Sequence, residues 1–311
     1  MLIAAIDIGT NTVLMLVADV RSDGSLHIVR DEHFIGRLGR GVDEHGIIST
    51  ETFQRIHGIL SQLKTIADTL GVTHVSACGT SALRDAVNRQ EFIDFIKERL
   101  DFEIRIVSGT EEAELTYLGA ISDYSPDAQP AKYAVLDIGG GSTEMVVGSG
   151  IQILSSNSLD IGSVRLTERI LKNNPPAEDA LDSAIRLVQD HLHPLSPLSP
   201  EITLIGVAGT LTTLAALDLR IPRFNNNLVH HHLLTVESIE KIFQELRPLT
   251  LDQLRRYPQI HPARADILLA GIIILREILR KVNASKITVS DRGLRYGIAL
   301  QTAGSLLTKS F

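Results

Sequence analysis

A single cysteine, Cys78, stands among 311 residues, which excludes an internal disulfide and fits a reducing cytoplasm. Its place beside Gly79 in an apolar stretch points to packing, not nucleophilic chemistry. Long apolar runs are missing too. The longest beyond the N-terminus, Ile267–Leu275, falls far short of the roughly 20 residues that span a membrane. The N-terminal Met1–Ile6 has no basic leader, and Asp7 interrupts its apolar run too early for a signal peptide. A soluble, cytoplasmic protein without a membrane partner is expected. Positive charge is also short: 30 Lys and Arg stand against 37 Asp and Glu, a net charge of −7. That argues against broad nucleic-acid coating. It leaves room for a polyanionic substrate, because screening acts over about 8 Å at physiological salt and local arginines outweigh the total.

What is present is one short pattern written twice. Ile6-Asp7-Ile8-Gly9-Thr10-Asn11-Thr12 follows an apolar run, and so does Leu136-Asp137-Ile138-Gly139-Gly140-Gly141-Ser142-Thr143. Each reads as strand, Asp-Ile-Gly, tight turn, strand. Such a turn exposes successive N–H groups and hydroxyls to phosphate oxygens, and the Asp can hold a metal ion or its water. Ala77-Cys78-Gly79-Thr80 and Val207-Ala208-Gly209-Thr210 form a second matched pair. Asp7 to Asp137 and Gly79 to Gly209 share one offset, 130 residues, which implies a duplicated domain and two phosphate-binding hairpins facing a cleft. Length alone favours two domains.

Along the chain, strands at 2–6, 13–20 and 25–30 form a meander reversing at Ser22-Asp23-Gly24. Phe34–Gly41, with three glycines and two arginines, reads as a mobile basic loop or a solvated connector. Phe53, Ile56, Leu60, Leu63, Ala67 and Leu70 trace a helix stopped by Gly71. Strand 73–78 feeds a small-residue turn, where α/β proteins place ligands, and Arg84 on the opening of the following helix is a candidate phosphate clamp. Strand 102–107 ends at Ser108, which with Glu111 fits a capping box, leaving Glu112 without an obvious structural task. A Pro/Ser/Asp/Gln stretch between Ser122 and Lys132 marks a domain boundary. Glu144, just past the glycine turn, would face solvent on strand pattern alone; its neighbours make it a candidate metal or water ligand. Helices follow at 163 and at 177–192, and His191 and His193 are expected in solvent. His230-His231-His232 lack the spacing that puts several ligands on one zinc ion, so a cleft-lining histidine is the better reading. Ile267–Leu275 predicts a buried helix, strand 286–290 follows, and a last helix near 294–307 crosses back to the first domain.

Each half thus reads βββ followed by alternating α and β. That is the α/β ribonuclease-H-like unit duplicated in actin, the sugar kinases and the seventy-kilodalton heat-shock chaperones, here with an interdomain cleft. Domain limits of 1–123 plus 294–311, and 124–293, are expected. The stretches at 5–12, Thr80–Asn88, Ser108–Ala113, Asp137–Glu144, Gly206–Thr210 and Ser290–Tyr296 together resemble the exopolyphosphatase / guanosine pentaphosphate phosphohydrolase (Ppx/GppA) family in its short, two-domain form. The resemblance implies release of orthophosphate from the end of polyphosphate, or removal of the 5′ γ-phosphate of guanosine pentaphosphate, which the hairpins cannot distinguish. It implies Mg²⁺ or another divalent cation held by Asp7, Asp137 and Glu144. It implies phosphate binding by Thr10, Asn11, Thr12, Gly139, Gly140, Gly141, Ser142, Gly209 and Thr210, and chemistry by Arg84, Glu112 and Glu144, with Glu112 activating water. The family also suggests homodimers. Substrate length would depend on further arginines such as Arg37, Arg40, Arg165, Arg264 and Arg292. A kinase, a filament or chaperone ATPase and a slow nucleotide sensor are the rival readings.

Overall fold

The computed structural model describes residues 1–21, 25–101, 103–124, 131–222 and 225–308. The reversal expected at Ser22-Asp23-Gly24, and residues 125–130 of the expected boundary stretch, lie outside them. The chain divides into two compact units, Met1–Ser122 with Arg292–Phe311, and Asp123–Asp291.

Unit 1 starts with β1 (Leu2–Ile8), β2 (Thr12–Val20) and β3 (Leu26–Ile35), an antiparallel meander. After α1 (Val42–His45) and α2 (Thr50–Leu70), β4 (His74–Gly79) adds parallel to β1. Then come α3 (Ser81–Asp85), α4 (Arg89–Leu100), β5 (Ile104–Ile106), parallel to β4, and α5 (Gly109–Ala120). The five-stranded order is β3-β2-β1-β4-β5. β1 is buried on both faces, as parallel pairing demands. Its Ala4, Ile6 and Ile8 pack with Ile56, Leu60 and Phe92 on one side, and Ile3 and Ala5 pack with Leu115 and Ile298 on the other. Cys78 lies in that second cluster, where burial pushes its thiol up to about 11, so it is inert packing.

Unit 2 repeats the plan with β6 (Lys132–Ile138), β7 (Thr143–Ser149) and β8 (Gln152–Leu159) as an antiparallel meander. α6 (Ser163–Arg169) and α7 (Glu178–His191) precede β9 (Thr203–Val207), which is parallel to β6, and α8 (Ala208–Asp218) follows. Next are α9 (Asn226–Val229), β10 (Leu233–Thr235), α10 (Val236–Leu246), α11 (Leu251–Leu254) and α12 (Leu268–Lys281), which is buried from Leu268 to Leu275. β11 (Lys286–Val289) joins β9 in parallel, and β10 pairs antiparallel outside it, giving the order β10-β11-β9-β6-β7-β8.

α13 (Leu294–Thr308) belongs to unit 1 and packs on α5 at very close range. A Cβ on Gly297 would stand 1.9 Å from the Leu115 carbonyl oxygen, and one on Gly119 would stand 2.3 Å from that of Gly293. Only bare backbone fits this crossing. Gly297→Ala should therefore cost about 1–3 kcal/mol by forcing the helices apart, read as a drop in thermal midpoint. An unchanged midpoint would show that the two helices slide apart freely.

Candidate functional site

Both glycine turns are built by one device. In unit 2, Gly139 N–H donates to Ser142 O at 3.0 Å and closes the turn between β6 and β7. The turn's carbonyls are taken by the start of α6. Gly139 O accepts from Ser163 N–H (2.9 Å), and Gly140 O accepts from Val164 and Arg165 N–H (2.8 and 3.1 Å). Gly162 makes the approach feasible, since its Cβ would stand 2.4 Å from Gly140 O. Among the described residues, nothing accepts from the Gly140 and Gly141 N–H groups, the arrangement in which a turn binds an anion. In unit 1, Gly9 N–H donates to Thr12 O at 2.8 Å. Thr10 O accepts from Gly39 N–H (2.8 Å) and Asn11 O from the Gly36 and Arg37 N–H groups (2.9 Å each). The segment read as a mobile basic loop or connector is thus strapped to this turn, with Leu38 fully buried and Arg55 Nε donating to Gly36 O at 2.8 Å.

The register across β6 and β7 sets Asp137 directly opposite Glu144, and across β7 and β8 sets Glu144 opposite Ser158. Opposed residues share a face, with Cβ atoms about 4.5–5.5 Å apart. Glu144 is 2% exposed and accepts from Ser158 Oγ at 2.8 Å. Strand pattern alone would put it in solvent; the structure buries it. Asp137 and Glu144 thus bring two carboxylates together on one face. Their hard oxygen donors fit a Mg²⁺-class ion. In unit 1 the same register sets Leu14 opposite Asp7, so the acid pair belongs to unit 2 alone.

Arg84 and Glu112 meet within unit 1. Arg84 Nη1 donates to Glu112 Oε2 (2.5 Å) and to Val107 O (3.1 Å). Arg84 sits in the last turn of the five-residue α3, not on the opening of a long helix, because the chain breaks at Ala86 before α4 begins. Glu112 is in the first turn of α5, buried, and burial raises its carboxyl above the usual range although the Arg84 guanidinium opposes the shift. The capping box expected beside it forms only by half. Ser108 Oγ accepts from Glu111 N–H at 3.1 Å, but the Glu111 carboxylate goes to Arg105, whose charge outcompetes a backbone N–H.

The second repeated turn slips by one residue. β1 sets Asp7 beside Cys78 of β4, whereas β6 sets Asp137 beside Val207 of β9, so ladder position and glycine position do not keep the same offset. Gly209 lies inside α8, and the residue at its start, Ala208, takes φ +69°, a left-handed conformation that costs a non-glycine residue about 1–2 kcal/mol. The Arg264 guanidinium lies on Gly209, its Nη1 standing 1.3 Å from where a Cβ would be. Thr210 is buried against Gly271 of α12. No carboxylate pairs with Arg264 among the described residues, and desolvation lowers it to about 10. An uncompensated guanidinium on a glycine turn is an anion-binding feature. Sequence reading treated Arg264 only as one arginine among several, though its place just before the all-apolar α12 signalled burial.

The histidine run departs most from expectation. His230 Nε2 and His231 Nε2 both reach Asp123 Oδ2, at 2.6 and 3.0 Å, and His230 Nδ1 lies 2.9 Å from Asp291 Oδ1. His232 pairs separately with Asp218 at 2.7 Å. Adjacent residues normally point apart, but His231 has φ +62° with its N–H on Val289 O (2.7 Å), which turns the two rings to one side, centroids 3.9 Å apart. His191 is half-buried, its Nδ1 2.8 Å from Leu187 O, while His193 is exposed as expected.

A duplicated α/β protein with two Asp-Ile-Gly turns and buried carboxylates is the class these features define. Residues 16–306 match the Ppx/GppA phosphatase family, and the chain belongs to that family. It is 35% identical to exopolyphosphatase 2 of Mycobacterium tuberculosis over 97% of this chain and 98% of that protein. It is 28% identical to a guanosine-5′-triphosphate,3′-diphosphate pyrophosphatase of Vibrio atlanticus, over 96% of this chain but 59% of that one. Among solved structures, the Aquifex aeolicus Ppx/GppA family member superposes with a TM-score of 0.82 at 31% identity, covering 100% of this chain and 99% of that one. An exopolyphosphatase from Cytophaga hutchinsonii gives 0.89 at 29%, covering 98% of each. Among the described residues, no helix is long and apolar enough to cross a membrane.

Proposed function

We propose that this chain is an exopolyphosphatase, removing the terminal orthophosphate of inorganic polyphosphate. The observation that carries the chemistry is Glu112: a buried carboxylate with a raised proton affinity, oriented by Arg84, suited to take a proton from water. Water attacks the terminal phosphorus, its proton passes to Glu112, and the bridging P–O bond breaks with its electrons on the shortened chain. Arg84 holds Glu112 and turns its remaining N–H groups toward a phosphate oxygen. The turns at Thr10–Thr12 and Gly139–Ser142 donate N–H groups to phosphate oxygens, with Gly209, Thr210 and Arg264 adding to the unit 2 side. Asp137 and Glu144, together with Asp7, would hold a Mg²⁺-class cation, which when bound neutralises charge on the phosphate oxygens. The task is positioning and charge stabilisation, as phosphoryl transfer requires.

Guanosine pentaphosphate is the second reading, since its terminal anhydride is the same and a relative so named shares 28% identity, against 35% for the exopolyphosphatase. Orthophosphate release from short polyphosphate, long polyphosphate and guanosine pentaphosphate, each with and without Mg²⁺, separates the two. Mg²⁺-dependent release from polyphosphate is expected without any acceptor, which also excludes a kinase. Release from guanosine pentaphosphate alone would overturn the polyphosphate assignment, and release from none would overturn both.

A further inference from the structure

We propose that Asp123, His230 and His231 form a second metal site, for a borderline transition-metal dication such as Zn²⁺, separate from the all-oxygen carboxylates Asp137 and Glu144. The three donors come from chain segments more than 100 residues apart and lie within 4.8 Å of one another.

The convergence of the rings on one carboxylate is the geometry of a shared ion. Three ring nitrogens face carboxylate oxygens here: His230 Nε2 and His231 Nε2 at Asp123, and His230 Nδ1 at Asp291. His230 Nδ1 also lies 3.2 Å from the Asp291 backbone N–H, and the two Nε2 atoms converge on one Asp123 oxygen. One dication in place of the two Nε2 protons joins both rings to Asp123 and leaves His230 neutral. Asp291 then keeps the remaining Nδ1 proton. That is how a carboxylate behind a ligating histidine fixes its tautomer and ring orientation.

The donor set selects the metal. Two imidazoles and one carboxylate suit Zn²⁺ and its neighbours, and not Mg²⁺ or Ca²⁺, which take oxygen. Three protein ligands leave a fourth position for water. The present spacings are hydrogen-bond lengths, so metal–nitrogen bonds of about 2.0–2.1 Å require the rings to open slightly. His231 can move, since its side chain is 47% exposed, and that exposure is also the way in. Tyr124 meets the His231 ring edge-on at 5.3 Å and packs on Tyr133, walling the other side. Asp123 and Asp291 are the first and last residues of unit 2, so an ion here ties both ends of that unit to His230.

The test is Zn²⁺ titration of the untagged full chain by calorimetry in millimolar Mg²⁺, which occupies oxygen sites, with Co²⁺ visible absorption as a second readout. One equivalent should bind with micromolar affinity or better, and Co²⁺ should give ligand-field bands. His231→Gln, at an exposed side chain, should weaken binding at least tenfold, and Asp291→Asn about 10- to 100-fold, with circular dichroism showing both folded. Asp137→Asn should leave Zn²⁺ affinity unchanged. No saturable uptake in Mg²⁺, or equal affinity in wild type and His231→Gln, would overturn the site without touching the hydrolase assignment.

Discussion

Glu112→Gln should lower kcat for phosphate release by about 10²- to 10⁴-fold with KM nearly unchanged. Glutamine keeps the volume and still accepts the Arg84 hydrogen bond, so α5 and α3 stay in place; it loses only the ability to take a proton. The pH profile gives a sharper test. A general base works deprotonated, so wild-type activity rises with pH through the Glu112 titration, and burial moves that limb upward from the ordinary glutamate range. The variant should lose this acidic limb. A kcat within about threefold of wild type, or an unchanged limb, would remove Glu112 from the chemistry.

Asp31→Ala should strongly destabilise unit 1. Asp31 on β3 receives both Arg295 Nε and Nη2 at 2.8 Å, from the first turn of α13, and the Arg295 side chain is only 4% exposed. Removing the acid takes two charge-assisted hydrogen bonds from a buried guanidinium, a loss of about 3–5 kcal/mol and roughly 10 °C in the melting of that unit. Burial alone would raise the Asp31 carboxyl, but hydrogen bonding to His33 and the Arg295 charge outweigh it and bring it down from 3.8 to about 2. A depressed folded value means the stabilisation is present above pH 3.8 and fades as pH falls through about 2, a loss of about 2 kcal/mol. The variant should lack this acid-sensitive step. A shift of under 3 °C, or an acid response equal to wild type, would show that Arg295 finds another partner.

Legibility from sequence followed the range of the interactions involved. The two Asp-Ile-Gly hairpins were readable because alternating apolar residues and a turn specify both strands, and β1/β2 and β6/β7 keep one register. The glycine-to-glycine offset does not carry over into the ladder, where Asp7 stands beside Cys78 but Asp137 beside Val207, and the side chain of Ala208 gives no warning of its positive φ. The burial of Glu144 was not legible in strand period, which put it in solvent, because periodicity carries no information about what covers a strand. The Arg84–Glu112 pair, 28 residues apart, and Arg295 on Asp31, 264 apart, arise from packing of separate elements, which no local pattern encodes. The histidines were set aside on ligand spacing, a rule that assumes regular backbone; His231 breaks it by turning left-handed. Three-residue β10 and the four-residue α1, α9 and α11 are too short for any period to register.

The place of α13 bears on how the protein is made. Synthesis delivers all of unit 2 before the helix against which α5, the carrier of Glu112, is packed. The inserted half can therefore condense while still emerging from the ribosome, whereas the first half waits for α13. A nascent chain thus holds Glu112, the carboxylate proposed above to take the proton of water, on an unsupported helix until α13 has been made.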